Sequence, residues 1–279
     1  MEATSQFTKI FVIQSVNAAG LQTGRRLVDD ALLPAANKIQ FGVDFSTVTN
    51  RSDFFIVLDR ALSETIAGTF PLIHIDAHGA EDKSGIALSP SGEIVKWAEF
   101  AERCREINRR CYNNLVITAG LCHGMHAITE VNIKELTPFF ALVGAEDEVS
   151  AHEVDVFATF YNELLRSGDL LKASERLGAK FGVYLAERLF LRGYAGYVRE
   201  HASGKGRQDR VERLVTEVRA IGAPLALRQI RRIAKKDTRP NRASFEKLKH
   251  QFLLSAHRRN ARRFQLTFED AMAYVRLDE

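Results

Sequence analysis

Short apolar runs alternate with amphipathic stretches through the first two thirds of the chain. Most of the runs are apolar on both faces, which is the pattern of strands buried in a parallel sheet. Their alternation with helical stretches predicts an α/β protein with a mainly parallel sheet and helices on both faces. The predicted strands are Phe7–Val16, Gln40–Val48, Leu72–Ala77, Leu115–Gly120 and Phe139–Ala145, with a small hairpin over Gly85–Val95.

The stretches between these strands carry helix signals. Apolar residues at three- and four-residue spacing predict a helix through 54–66, with Asn50 or Ser52 as its N-terminal cap and Gly68 at its end. Ser150 and Glu153 form a capping box that predicts a second helix start.

Two further helices are predicted from the same kind of pattern. One covers Trp97–Arg110, and the other covers Thr23–Ile39, where Pro34 must end or kink it because proline lacks the backbone N–H of a helical residue.

Beyond Lys172 the pattern is helical only, and the balance of charge reverses. Residues 1–198 carry 19 Lys and Arg against 25 Asp and Glu, whereas residues 199–279 carry 20 against 10. A basic helical segment attached to an acidic body indicates two domains with different roles. We place the α/β domain at 1–195 and an all-helical basic C-terminal region, with a regulatory role, at 196–279. Gly204–Gly206 is the predicted flexible break.

Composition narrows the class of protein. Hydrophobic residues make up 46% and charged residues 27% of the 279 residues, which is typical of a globular chain. We expect neither a secretory signal nor a membrane span, and three cysteines are too few for a disulfide framework. These features predict a cytoplasmic protein. The sequence contains no phosphate-binding P-loop and no Gly-rich dinucleotide fingerprint, so we predict no cofactor.

Two predicted strands end in residues that can catalyse nucleophilic attack. His78-Gly79 follows the third strand and Cys122 follows the fourth. In an open α/β sheet the carboxyl ends of neighbouring strands meet at one edge, so an imidazole and a thiol there can act as base and nucleophile. We therefore predict His78 and Cys122 as a catalytic dyad, with the backbone N–H groups of Gly79 and Cys122 as an oxyanion hole. Gly79 and Gly124 allow the sharp turns and close approach that such a site needs.

Other polar residues near these strand ends leave alternatives open. Asp76, His123 and Gly124 are candidates for supporting the site, while His74 reads as a core residue. A zinc site is the alternative chemistry, although the spacing matches no strong zinc motif. Its candidate ligands are Asp76, His78, Cys122, His123 and His126.

The two motifs together are similar to a known group of enzymes. Ile73-His-Ile-Asp-Ala-His-Gly79 is followed by Ala119-Gly-Leu-Cys-His-Gly124, and Cys122 lies 44 residues after His78. This arrangement resembles the caspase-like (clan CD) cysteine peptidases over residues 7–190, especially the bacterial members called CHAT domains. The resemblance implies a peptidase fold, a His/Cys dyad and a protein or peptide substrate. Leu-Cys-His-Gly replaces the Ala-Cys-Arg-Gly of caspases, and only 16 residues separate Cys122 from the next strand, so we expect a single uncleaved chain.

The resemblance also suggests where the substrate side chain before the cleaved bond (P1) is bound. An acidic segment, Glu146-Asp147-Glu148, follows the fifth strand, where the family builds its first specificity pocket. It favours Arg or Lys at P1. An exposed acidic turn with no binding role is the alternative interpretation.

The basic C-terminal region has two interpretations. It is either a solvated basic face docked on the acidic domain, or an anion site for nucleic acid or a phosphorylated nucleotide. Bacterial relatives often act in defence and are activated by another component, which suggests a nucleotide signal or an activating protein. The rival reading of the whole chain is an inactive caspase-like fold that binds nucleic acid or a partner. The candidate anion-binding residues are Arg228, Arg231, Arg232, Lys235 and Lys236, followed by Arg258, Arg259, Arg262 and Arg263.

Overall fold

The computed structural model of the protein describes residues 6–277, so the outermost residues of the two predicted domain ranges (1–5 and 278–279) lie outside it. Its centre is a sheet of eight strands whose main path runs in the order β2-β1-β3-β6-β7-β8. All neighbours along this path are parallel except β7 and β8, and β4 and β5 form a hairpin on the end of β3. The strands are β1 (Lys9–Ser15), β2 (Gly42–Thr47), β3 (Pro71–Gly79), β4 (Gly85–Ala87), β5 (Ile94–Lys96), β6 (Val116–Gly120), β7 (Ala141–Ala145) and β8 (Phe181–Leu185).

Helices connect the strands and form most of the chain after β8. The earlier ones are α1 (Thr23–Leu27), α2 (Leu33–Ile39), α3 (Arg51–Ile66), α4 (Trp97–Arg110), α5 (Ala151–Val154), α6 (Phe157–Ser167) and α7 (Leu170–Ser174). The later ones are α8 (Ala186–Tyr197), α9 (Gly204–Ala220), α10 (Leu227–Asp237), α11 (Arg242–Leu253), α12 (Arg258–Arg263) and α13 (Phe268–Leu277). The predicted α/β class and mainly parallel sheet are confirmed.

The predicted helix starts are confirmed by hydrogen bonds at their caps. The Asn50 side chain accepts a hydrogen bond from the Asp53 N–H at 3.0 Å and so caps α3. Ser150 and Glu153 form the reciprocal capping box at the start of α5. These bonds satisfy N–H groups that have no partner within the helix.

The helix predicted over 23–39 is built from three segments. A π-helical turn over Val28–Leu32 separates α1 from α2, and Pro34 lies in the first turn of α2. The backbone stays helical through both junctions, so Pro34 lies inside a continuous helical stretch, where its missing N–H interrupts the hydrogen-bond pattern. The π-helical turn lies directly before this interruption.

The prediction of helix alone beyond Lys172 is wrong for five residues. Phe181–Leu185 forms β8, which pairs antiparallel with β7 from Ala145↔Phe181 to Ala141↔Leu185. The segment is short, but Phe181, Val183 and Tyr184 are residue types that favour strands. The sequence therefore carries a local strand signal, which the helical patterns around it outweighed in the prediction, and pairing with β7 completes the strand.

The two faces of the sheet are covered by different helices. On one face the odd-numbered residues of β3, such as Ile73 and Ile75, join a buried apolar cluster with Phe54 of α3 and Phe100 of α4. On the other face the buried His74 ring packs edge-on against Phe157 and Tyr161 of α6. The alternation of side chains along a strand explains this separation.

The chain divides into two compact units. Residues 6–132 and 136–186 form the first, and residues 133–135 and 187–277 form the second. In the second unit, α9 and α10 form a hairpin around Val211, Val215, Ile230 and Ala234. Gly204–Gly206, the predicted flexible break, forms the first turn of α9. A separate aromatic cluster joins α8, α11 and α13 through Phe190, Tyr194, Phe245, Phe252 and Phe268.

Residues 6–277 contain no helix that is both long enough and apolar enough to cross a bilayer.

Burial of His74 makes folding stability depend on pH. Its Nδ1 is 2.8 Å from the Thr118 hydroxyl, which is 2.7 Å from the Tyr161 hydroxyl, and burial lowers the pKa of the ring to about 3. The unfolded chain binds a proton at the ordinary pKa of 6.5, whereas the folded chain does not, so stability falls as the pH drops from about 6.5 toward about 3.

We expect His74→Asn to remove this contribution, because an amide can keep the bond to Thr118 but does not titrate. Between pH 6 and 5, wild type should lose about 1 kcal/mol more than the variant, in urea unfolding at each pH. Equal slopes for the two proteins would contradict the assignment, whatever the difference in their absolute stabilities.

Candidate active site

The pairing of β3 with β6 brings the two predicted catalytic residues to the same place. The strands are parallel neighbours, and their last paired residues are Asp76 and Gly120. His78 and Cys122 each lie two residues beyond that pair. His78 is still in β3, where it pairs with Ala87 of β4, and Cys122 lies in the turn that follows β6. His78 is exposed and Cys122 is partly exposed, which leaves both accessible to a substrate.

Gly79 lies directly against the backbone of Cys122. A Cβ atom at position 79 would stand 2.0 Å from the Cys122 carbonyl oxygen and 2.8 Å from its carbonyl carbon. No side chain fits at such distances, so only glycine permits this approach of the two chain segments. The contact puts the residue after the histidine beside the cysteine itself.

The Cys122 thiol is held by the backbone of Val149. The sulfur is 3.5 Å from the Val149 carbonyl oxygen, to which it can donate, and it accepts the Val149 N–H at 3.4 Å. The carbonyl contact and the N–H contact together fix the position of the sulfur. The thiol is therefore oriented before any substrate arrives.

The residues after Cys122 form a fastened turn. His123 adopts a left-handed backbone conformation (φ 58°), and its N–H donates to the Asp147 carbonyl at 3.1 Å. Its ring Nδ1 lies 3.1 Å from the Glu146 carbonyl oxygen, to which it donates. A Cβ atom on Gly124 would be 2.8 Å from the Ala119 Cβ, so a larger residue would displace the turn. These contacts give His123 and Gly124 of the Leu-Cys-His-Gly motif a structural role in the turn.

Asp76 fastens a helix to the strand that carries His78. Its carboxylate is buried and accepts hydrogen bonds from the Thr23 hydroxyl at 2.7 Å and from the Gly24 N–H, at the start of α1. Desolvation raises the pKa of Asp76, and these two hydrogen bonds oppose the rise. Both oxygens are thus engaged by α1, and His78 lies two residues further along the strand.

The structure does not assemble the alternative zinc site. Within residues 6–277, no three His, Cys, Asp or Glu side chains are grouped so that they can hold a metal ion. Asp76 is engaged by α1, and the Nδ1 atom of His123 is engaged by the Glu146 carbonyl. The zinc alternative is therefore wrong for this arrangement.

The predicted acidic segment adjoins the cysteine through its backbone. The side chains of Glu146, Asp147 and Glu148 are exposed, while their carbonyl groups point to His123 and to Lys180. Sequence reasoning missed Lys180, which belongs to a stretch interpreted as helix. Its Nζ donates to the Glu148 carbonyl at 3.2 Å and pairs with Glu153 at 2.9 Å.

The basic residues of the second unit lie on two different helices. Arg228, Arg231, Arg232, Lys235 and Lys236 are exposed on α10, and Arg231 pairs with Glu212 of α9 at 2.7 Å. Arg258, Arg259, Arg262 and Arg263 are on α12, which is fastened to the end of α11 by the Asn260 side chain. The structure thus divides the predicted anion-binding residues into two groups.

Comparison of the chain with protein-family models gives no match, and comparison with curated proteins gives none at a significant level.

The fit of Gly79 against Cys122 can be tested by adding one methyl group. Gly79→Ala should lower the free energy of unfolding by about 2 kcal/mol or more, because the clash is with backbone and cannot be relieved by a side-chain rotation. It should also slow alkylation of Cys122 in the fraction that remains folded.

Gly196→Ala is the control, because its added Cβ meets no atom within 4 Å. Urea unfolding and alkylation by iodoacetamide are the measurements. If Gly79→Ala is as stable and as reactive as Gly196→Ala, the close approach is not a feature of the protein in solution.

Proposed function

We propose that the protein is a hydrolase of the His/Cys-dyad class built on an open, mainly parallel sheet. Within that class, we propose a caspase-like cysteine endopeptidase of the bacterial type. The observation that carries the proposal is the backbone contact between Gly79 and Cys122, just beyond the β3–β6 register that ends at Asp76↔Gly120. The two sequence motifs and their resemblance to that family also support it.

The proposed reaction uses four groups. His78 accepts the thiol proton of Cys122, and the sulfur attacks the carbonyl carbon of the scissile peptide bond. The N–H groups of Gly79 and Cys122 stabilise the negative oxygen of the tetrahedral intermediate. His78 then gives the proton to the leaving amine, and water hydrolyses the acyl-enzyme and regenerates the thiol. The Val149 N–H, 3.4 Å from the sulfur, orients the thiol before attack.

The proposed substrate carries Arg or Lys at P1. The exposed carboxylates of the segment 146–148 stand on the stretch of chain whose backbone contacts His123, and the following residue, Val149, contacts Cys122. A substrate cation bound there would be close to the nucleophile. Because these carboxylates are exposed, we expect them to contribute selectivity of modest size.

Regulation is the proposed role of the basic helices. The exposed cations of α10 and those of α12 suit a phosphorylated nucleotide, and the resemblance to bacterial defence effectors suggests such a signal or an activating protein. A cytoplasmic location belongs to the same proposal.

The rival function is a binding module in which Cys122 is inert. The exposed cations on α10 and α12 are the observation that favours it. Such a protein would bind nucleic acid with an affinity that falls steeply with salt, because each neutralised phosphate releases a counterion. The two functions differ in the reactivity of Cys122.

The dyad is tested with a panel of peptides that carry Arg, Lys, Asp or Leu at P1, with and without cyclic and ADP-ribose-type nucleotides. Cys122→Ala should abolish cleavage, and His78→Ala should lower kcat by about 10²–10⁴-fold, the range for loss of a general base. His152→Gln is the matched histidine control and should cleave like wild type. Cleavage that persists in Cys122→Ala would overturn the mechanism, and an unreactive Cys122 with salt-dependent nucleic-acid binding would favour the rival.

The P1 preference is tested by neutralising the acidic segment without moving its backbone. Glu146→Gln, Asp147→Asn and Glu148→Gln in one protein should lower kcat/KM for Arg peptides about tenfold, equivalent to about 1.4 kcal/mol, and leave Leu peptides unaffected. Glu175→Gln, another exposed acid, is the control. Equal losses for Arg and Leu peptides would show that the segment has no part in selecting a cation.

A further inference from the structure

The stretch 146–150 is held beside Cys122 from two sides. On one side, His123 donates its N–H to the Asp147 carbonyl and its ring Nδ1 to the Glu146 carbonyl. Between these bonds and α5, Val149 makes its two contacts with the Cys122 sulfur. Because the Val149 N–H is the donor to sulfur, anything that fixes Val149 also fixes the environment of the thiol.

On the other side, the stretch is held by an ion pair that no motif suggests. Lys180 Nζ is 2.9 Å from Glu153 Oε1 and donates to the Glu148 carbonyl at 3.2 Å. The second oxygen of Glu153 accepts the Ser150 N–H at 2.8 Å and the Ser150 hydroxyl at 2.9 Å. Lys180 and Glu153, which we call the clasp, therefore contact the residues immediately before and after Val149.

Lys180 and Glu153 both remain charged throughout the neutral pH range. The hydrogen bond from Ser150 and the bond from Lys180 lower the pKa of Glu153 to about 2. The hydrogen bond to Glu153 raises the pKa of Lys180, and the negative charge of Asp147 adds to this effect.

We propose that Lys180 is a positioning residue for Cys122: with Glu153 it fixes Val149, whose N–H donates to the sulfur. The proposal rests on the proposed function only for the role of Cys122 as nucleophile. The titratable groups around the sulfur are His78 at the end of β3, the adjacent His123, Asp147 on the acidic segment and Lys180 itself.

We expect this ion pair to matter for the reactivity of the thiol more than for the stability of the fold. The Lys180 side chain is 52% exposed and the Glu153 side chain 35% exposed, and exposed ion pairs contribute little to folding stability. Removal of the pair should therefore leave the fold intact. Its effect should appear in the chemistry of the thiol and not in the free energy of unfolding.

The test measures alkylation of Cys122 by iodoacetamide from pH 5 to 9 on the full chain, with the modified peptide identified by mass spectrometry. Cys104 and Cys111 are buried, so Cys122 supplies the signal. The variants are Lys180→Met, Lys180→Arg and Glu153→Gln, the last of which keeps a residue suited to the capping box but loses the charge. Lys172→Met is the matched control, since Lys172 is 51% exposed and pairs with Glu163.

We expect Lys180→Met and Glu153→Gln each to slow alkylation at pH 7 about threefold or more and to move the pH profile to higher pH, because the thiolate is the reactive form. The double variant should show no further loss, because both changes break one interaction. Lys180→Arg should restore most of the rate, and Lys172→Met should match wild type. A change in the high-pH plateau alone would mean altered access and would overturn the proposal.

The outcomes separate this inference from the proposed function. If the clasp variants shift the alkylation profile while no peptide is cleaved, the positioning role stands and the peptidase assignment fails. If peptides are cleaved through Cys122 while the clasp variants alkylate and cleave like wild type, the peptidase stands and the positioning role is overturned. A wild-type Cys122 that reacts no faster than the buried cysteines would contradict both.

Discussion

The parallel pairing of β3 with β6 is the constraint on which the candidate site depends. It fixes the register at Asp76↔Gly120, two residues before His78 and Cys122. The close approach beyond that pair is possible only because Gly79 lacks a side chain where the Cys122 carbonyl would meet it. The sheet therefore sets where the two chain segments leave it, and the contact of Gly79 with Cys122 keeps them together.

The same two strands divide the sheet into an apolar face and a partly polar one. Aliphatic residues meet α3 and α4 on the first face, whereas His74, Asp76 and Thr118 are buried against α1 and α6 on the second. Each of these polar groups has a hydrogen-bond partner, as buried polar groups require. They tie the helices of that face to β3 and β6, and so they support the strand ends where His78 and Cys122 stand.

The environment of the thiol is completed by segments that are distant along the chain. Val149 comes from the stretch after β7, and Lys180 comes from the turn before β8. The antiparallel addition of β8 beside β7 is what returns the chain to this edge. The turn that leads into β8 thereby places the Lys180 ammonium group near the segment that contacts Cys122.

Local patterns in the sequence predicted the inner strands, the caps at Asn50 and Ser150, and two catalytic residue types at strand ends. These features can be predicted locally because burial on both faces of a strand and helix capping depend on residues that are close in the sequence. The sequence did not predict the pairing of β8 with β7, the contact of Val149 with Cys122, the attachment of Asp76 to α1 or the ion pair of Lys180 with Glu153. Each of these contacts joins residues that are far apart in the chain. Pairing and packing in the tertiary structure therefore decide which partners meet, and local sequence preference cannot specify them.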